Sequence, residues 1–285
     1  MEARILGPLS LSVDGVDMVP PARKQRQLLS LLLMNANRVT TVDCLMRALW
    51  DDVLPTTALT TLQNYVLRLR KHFDGVLGDR RGREVLLTRD GAYVFAIDDT
   101  RFDLHVFRST AREGYQALEV GDDERAAHML RNALDLWRGA ALADVRPTRA
   151  LEAVVRELHE SRVRVLQQWL EAELRLSRFQ ECLDELEVIC ARHPLHETFH
   201  RQYMVALYRT GQRLRALEVF RVLRERLVET TGLEPGESLL RLHEEILHGR
   251  RLVIGVGARV PRQRMAPTVQ RPYAYSTIGV ADTAW

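Results

Sequence analysis

Along residues 56–73, TTALTTLQNYVLRLRKHF, apolar positions recur at helical spacing. At about 100° per residue, Ala58, Leu59, Leu62, Tyr65, Val66, Leu69 and Phe73 fall within roughly one third of the wheel, a stripe that predicts burial. The opposite side carries Thr57, Thr60, Thr61, Asn64, Arg68 and Lys71, with Leu67 as the apolar exception. No carboxylate stands among them, whereas a merely solvated helix face usually mixes Glu with Lys or Arg. Hydroxyls, an amide and cations are the groups that bond phosphates and base edges. On this helix alone, a solvated face is the plain alternative, so the surroundings decide.

Before it, ARILGPLSLSV (3–13) alternates as strands broken at Gly7-Pro8, with a hairpin turn at Asp14-Gly15 and a return strand VDMV. ARKQRQLLSLLLMNAN (22–37) reads as a helix buried at Leu28, Leu31 and Leu32. Lys24 and Arg26 lie at its start, where cations oppose the helix dipole, a placement that favours an outside partner. Arg38-Val39-Thr40 is a short extended connector, and Thr41 caps a helix over VDCLMRALW (42–50). After the third helix, DGVLGDRRGRE (74–84) reads as a polar, flexible link. VLLT (85–88) and AYVFAI (92–97) then form a hairpin through Arg89-Asp90-Gly91. Strands, three helices and a hairpin make an α+β winged helix-turn-helix over residues 1–97. In that geometry the third helix enters the major groove and the flap lies on the backbone or in the minor groove. The helix lacking carboxylates sits where such a fold needs its reader.

Residues 98–249 read as an all-α, tetratricopeptide-like domain. LEVGDDERAAHML (118–130), LRLSRFQECLDEL (174–186) and LYRTGQRLRALEVF (207–220) share one scheme. A small residue (Gly121, Ser177, Gly211) ends one helix, and five positions later another (Ala126, Cys182, Ala216) lets the next pack closely. Ser177 and Gly211 stand 34 residues apart, the tetratricopeptide period. Trp137, Trp169 and Tyr208 suit interhelix packing better than a ligand cage. From residue 250 the periodicity fails, and 250–285 reads as a largely disordered basic tail.

Charge sharpens this division. By sequence count the net charge is about +3 over residues 1–97, about −5 over 98–249 and about +5 over 250–285. Head and tail suit an anionic partner, and the acidic middle suits a protein. Lys24 and Lys71 are the only lysines, so arginine abundance reflects composition as much as function. Three cysteines (Cys44, Cys182, Cys190) without CxxC spacing point to a reducing compartment and away from a disulfide framework. With no signal peptide or apolar span, the chain reads as cytoplasmic and nucleoid-associated, with no membrane partner.

Several stretches together resemble the Streptomyces antibiotic regulatory protein (SARP) family of transcriptional activators. RILGPLSLSVDG, KQRQLLSLLLMNANRVT, ALW (48–50), LQNYVLRLRKHF and GAYVF are similar to its OmpR-type winged helix. FDLHVF, NALDLWRGAALADV, ELHESRV, HPLHETF, YMVALYRTGQRLRALEVFRVLRERL and GLEPGESLLRLHEEIL resemble the bacterial transcriptional activation domain that follows it. Two departures stand out: Lys71-His72-Phe73 where relatives tend to carry Leu, and His196 where Arg is usual. The resemblance implies a pathway-specific activator of an antibiotic or secondary-metabolite gene cluster. Such proteins bind tandem direct repeats of double-stranded promoter DNA side by side and recruit RNA polymerase holoenzyme through its sigma factor. No P-loop follows the helical domain, which places the chain with the small stand-alone class, without a cofactor.

On this reading Asn64 and Arg68 contact bases, an amide suiting adenine and a guanidinium suiting guanine. Thr60 and Thr61 are further base contacts. Thr57, Lys71, Lys24, Arg26 and Arg89 meet the DNA backbone, with Arg80, Arg81 and Arg83 as lesser candidates. A repressor or ligand-responsive regulator would share the same head, and a scaffold would use the repeats alone. The competing chemistry is His196-Glu197-Thr198-Phe199-His200, an HExxH zincin pattern that would make a zinc hydrolase. It begins just after Pro194 at the start of a repeat helix, lacks a third ligand at metzincin spacing, and suits a helix start with Glu197 in the first turn. His128, His159 and His243 stand singly and read as surface residues.

Overall fold

A computed structural model describes residues 1–51, 53–78 and 81–249. Arg80 and the tail expected over 250–285 lie outside them. The described chain forms two compact units. The first holds Met1–Arg108 with Asp135–Ser161, and the second Ser109–Leu134 with residues 162–249.

In the first unit, β1 (Glu2–Arg4), β2 (Ser10–Val13) and β3 (Val16–Asp17) make an antiparallel sheet in that order. Asp14 and Gly15, at φ 50° and 82°, form the two-residue turn whose twist suits a hairpin. Then come α1 (Arg23–Met34), α2 (Val42–Trp50), which begins where Cys44 N donates to Thr41 Oγ1 at 3.3 Å, and α3 (Ala58–Leu77). Beyond them β5 (Leu86–Arg89) and β6 (Ala92–Phe95) form the wing hairpin, turning at Asp90 and Gly91 with φ 45° and 73°.

Two segments differ from expectation. The connector is a strand: Thr40–Thr41 (β4) pairs with Tyr93 and Ala92, so the wing is a sheet in the order β4-β6-β5. An extended backbone beside an open strand edge satisfies its polar groups by pairing with it. Asn37 fastens the same corner, its side chain donating to Ile97 O at 2.7 Å and accepting from Ile97 N at 2.9 Å. The link after Phe73 is not simply irregular either. α3 continues to Leu77, ending where Gly78 N bonds Asp74 O, and α4 (Gly82–Val85) folds back against it. Asp74 Oδ1 accepts from Gly82 N at 2.8 Å. A Cβ on Gly82 would stand 2.4 Å from Arg70 O, so only glycine permits this approach.

The first unit also draws on residues past 97. The buried Asp103, at the start of α5 (Asp103–Val120), accepts from Ile5 N and Leu6 N at 2.9 Å. Burial pushes its carboxyl pKa up, and the two backbone donors pull against that. Arg138 N donates to Leu6 O at 2.8 Å, Leu142 N to Ile5 O at 3.0 Å, and Leu9 N to Asp144 Oδ1 at 2.7 Å.

In the second unit the repeat scheme takes physical form. Its helices include α6 (Asp123–Asp135), much of α7 (Arg149–Arg175), α8 (Phe179–Arg192), α9 (Glu197–Arg209), α10 (Arg213–Thr231) and α11 (Glu237–Leu247). Gly121, Ser177 and Gly211 are left-handed at φ 79°, 60° and 81°. Each is followed by the same pair of bonds: Asp122 N to Ala117 O, Arg178 N to Glu173 O and Gln212 N to Leu207 O, with Gly121, Ser177 and Gly211 N bonding three residues back. This is the Schellman arrangement, and it satisfies the last carbonyls of each helix. Ala126, Cys182 and Ala216 are buried five positions on.

Trp137 in the first unit and Trp169 in the second are buried, Tyr208 half-buried. Two isolated histidines are not the surface residues expected. His243 stacks on Phe220 at 3.9 Å, and His159 lies 5.7 Å from the Trp137 ring. A lone polar residue in an apolar helix pattern can present its ring face to a neighbour. His128 is exposed.

Candidate nucleic-acid interface

The stripe of α3 buries Ala58, Leu62, Val66, Leu69 and Phe73, the last packed edge-on to Phe95 at 6.2 Å. Tyr65 is half-buried and stacks with Trp50. Leu59, expected within the stripe, stands 48% exposed. Periodicity gives the direction of a side chain, not how far along the helix its neighbours reach.

The outer strip carries the groups expected of it. Thr57, Thr60, Asn64, Arg68 and Lys71 are exposed, and Thr61 is half-buried with its hydroxyl 3.4 Å from that of Thr57. The first turn holds no acidic residue, and no side chain caps it. That leaves a positive helix end open to an anion. Gln63 is exposed too, in line with Thr60 and Leu67 at helical spacing, and the sequence reading missed it. The signal was available: a second amide beside Asn64, on the polar side of the wheel.

Arg70, one position from the strip, does something different. Its Nε and Nη2 donate to Leu86 O at 2.9 and 2.6 Å, Nη2 also donates to Thr88 Oγ1 at 2.7 Å, and the guanidinium stands 5.9 Å from the Tyr93 ring. It ties α3 to the wing. At the wing turn Arg89 is exposed. Arg81 and Arg83 are exposed as well, Arg81 lying 3.7 Å from Glu84.

Lys24 and Arg26 find partners within the chain. Lys24 Nζ donates to Leu49 O at 2.7 Å, over the Trp50 ring, and burial lowers its pKa. Arg26 pairs with Asp144. The dipole argument for an outside partner is thus met from inside: one cation closes the C-terminal end of α2, the other meets the carboxylate that also holds Leu9 N.

The HExxH stretch opens α9. Glu197 Oε2 accepts from Gly236 N at 2.7 Å, which commits the carboxylate to the loop before α11. Gln167 Nε2 lies 3.1 Å from His196 Nε2, and His200 Nδ1 lies 3.2 Å from His196 O. Burial lowers the pKa of His193, His196 and His200, and Arg192 and Arg162 add to this at His193, Arg226 at His200. Folded rings therefore take up protons less readily than unfolded ones, whose ordinary value is 6.5. Below about pH 6.5 the unfolded chain binds more protons, so stability falls with acid and levels off above that pH. Urea midpoints measured from pH 5.5 to 7.5 should rise with pH, and His200→Gln should flatten the slope. A flat profile in the parent protein would contradict this.

The architecture and the exposed strip define a class: a winged-helix transcription regulator. Residues 17–95 match the family described as transcriptional regulatory protein, C terminal, and residues 102–247 match the bacterial transcriptional activator domain. The chain is similar to regulatory protein DnrI of Streptomyces peucetius, 40% identical over 264 residues that span 92% of this chain and 97% of that one. Transcriptional regulator RedD of Streptomyces coelicolor is 32% identical, with 94% and 76% covered. The solved structure of Mycobacterium tuberculosis EmbR in complex with a low affinity phosphopeptide has a TM-score of 0.81 at 33% identity, over 88% of this chain and 66% of that one. The chain therefore spans only part of EmbR. It belongs to the Streptomyces antibiotic regulatory protein family of DNA-binding transcriptional regulators. Among the described residues no helix is long and apolar enough to cross a membrane.

Proposed function

We propose that residues 1–97 bind promoter DNA with α3 in the major groove, and that residues 98–249 act as the activation domain. Asn64 and Arg68 read base edges, joined by Thr60 and Thr61. Thr57, Lys71 and Arg89 hold the backbone. Lys24 and Arg26, already engaged within the chain, act instead by fixing α1 in place. Protomers bind side by side on direct repeats at a biosynthetic gene cluster on the nucleoid and recruit RNA polymerase holoenzyme through its sigma factor. The observation that carries this reading is the exposed strip of α3, free of carboxylates beside a wing with an exposed arginine.

The test is a gel shift and footprint of the full chain on promoter DNA against random DNA. Asn64→Ala or Arg68→Ala should cost about 1–3 kcal/mol and relax sequence preference. Lys71→Ala should weaken all sequences alike and lower the salt slope by about one. Unchanged affinity and preference in Arg68→Ala would place the docking face elsewhere. Inserting half a helical turn between half-sites should abolish joint occupancy. Run-off transcription with purified holoenzyme tests activation: occlusion in place of stimulation would make the protein a repressor.

A further inference from the structure

We propose that Leu67 reads the 5-methyl group of a thymine in each half-site, setting preference for an A·T pair at that position. This rests on the major-groove docking of α3 proposed above.

Leu67 is 46% exposed, although α3 buries five apolar side chains on its other side. On the helical wheel it lies between Gln63 and the other polar groups of the outer strip. Gln63 precedes it and Lys71 follows it by four residues, and Asn64 precedes it by three. Residues three and four apart are surface neighbours on a helix, so this apolar group is flanked by two amides and a cation. A single exposed leucine is ordinary on a protein surface. An apolar group flanked by donors and acceptors suited to base edges sits where a duplex would press on it.

The occupant follows from the chemistry of the groove. The apolar feature of a base pair on the major-groove side is the thymine methyl; G·C presents N7, O6 and the N4 amino group there. Leu67 against G·C would take those polar atoms out of water and offer no partner. Against T it buries a methyl. One turn of α3 rises about 5.4 Å, between one and two base-pair steps. The same turn can therefore carry an amide to an adenine and Leu67 to a thymine nearby. Leu59, also exposed, lies two turns earlier toward the edge of the strip.

Single thymines of a footprinted half-site are replaced by deoxyuridine, which removes the methyl and nothing else, and Kd is measured with the full chain. One position should lose about fourfold with the parent protein, the factor for one methyl-sized group buried. Leu67→Ala should lose at least as much on unmodified DNA and become indifferent to deoxyuridine at that position alone. Leu67→Gln, which keeps length and adds polarity, should also lose sensitivity there. Asn64→Ala should keep it. If every deoxyuridine site binds the parent protein as well as thymine, or if the losses from Leu67→Ala and deoxyuridine multiply, Leu67 does not read a methyl. If Asn64→Ala and Arg68→Ala weaken binding while Leu67→Ala does not, this inference falls and the docking stands. Loss of promoter preference in the parent protein itself would sink both.

Discussion

Asp103→Ala is expected to lower the unfolding free energy by about 3–5 kcal/mol, seen as a drop in urea midpoint at constant slope. The carboxylate is buried and accepts from two consecutive backbone donors, Ile5 N and Leu6 N, just past the β1 strand. Its own desolvation is unfavourable, as the raised pKa records, and those bonds offset it. Alanine removes the acceptor and leaves both N–H groups inside without a partner, which costs about 1–3 kcal/mol each. Asparagine should lose roughly half as much, because one oxygen still accepts while the amide turns a donor toward a donor. A change below about 0.5 kcal/mol in Asp103→Ala would mean that water or a backbone shift satisfies Ile5 and Leu6.

Arg70→Ala should cost about 2–3 kcal/mol of stability and weaken DNA binding without changing its salt dependence. The guanidinium forks onto Leu86 O and Thr88 Oγ1, and no phosphate contact is assigned to it. Truncation frees the wing from α3 at the point where Gly82 already brings the backbone close to Arg70 O. Lysine should recover only part of the loss, since one ammonium cannot reproduce a planar fork on two acceptors. The salt slope separates a brace from a phosphate contact. A slope lower by about one, with stability intact, would move Arg70 into the DNA-contacting set.

The winged helix was legible because its signals are local. The stripe of α3, the Asp-Gly turns and the Thr41 cap each act within a few residues, and the structure carries all three. The repeat turns were legible for the same reason, since a left-handed residue and the small residue five places on share one helix junction. What escaped depends on partners far along the chain. Nothing near Lys24 or Arg26 announces Leu49 O or Asp144. Thr40 gives no sign of Tyr93, and Gly82 reads as a loop glycine until Arg70 O is found beside it. In the candidate site, the face was readable from charge and periodicity. The division of labour within it was not: Arg68 and Arg70 are the same residue type two positions apart, one exposed and one holding the wing.

The bonds from Ile5, Leu6 and Leu9 to Asp103, Arg138, Leu142 and Asp144 bear on how such regulators could be recombined. A chimera joined at Ile97 would pair one parent's amino-terminal strands with another parent's anchoring loop. Matched exchange needs three crossovers, so that the stretch from Asp135 to Ser161 travels with the head it supports. Genetic shuffling between related regulators would then favour whole-chain transfer over swapping of heads.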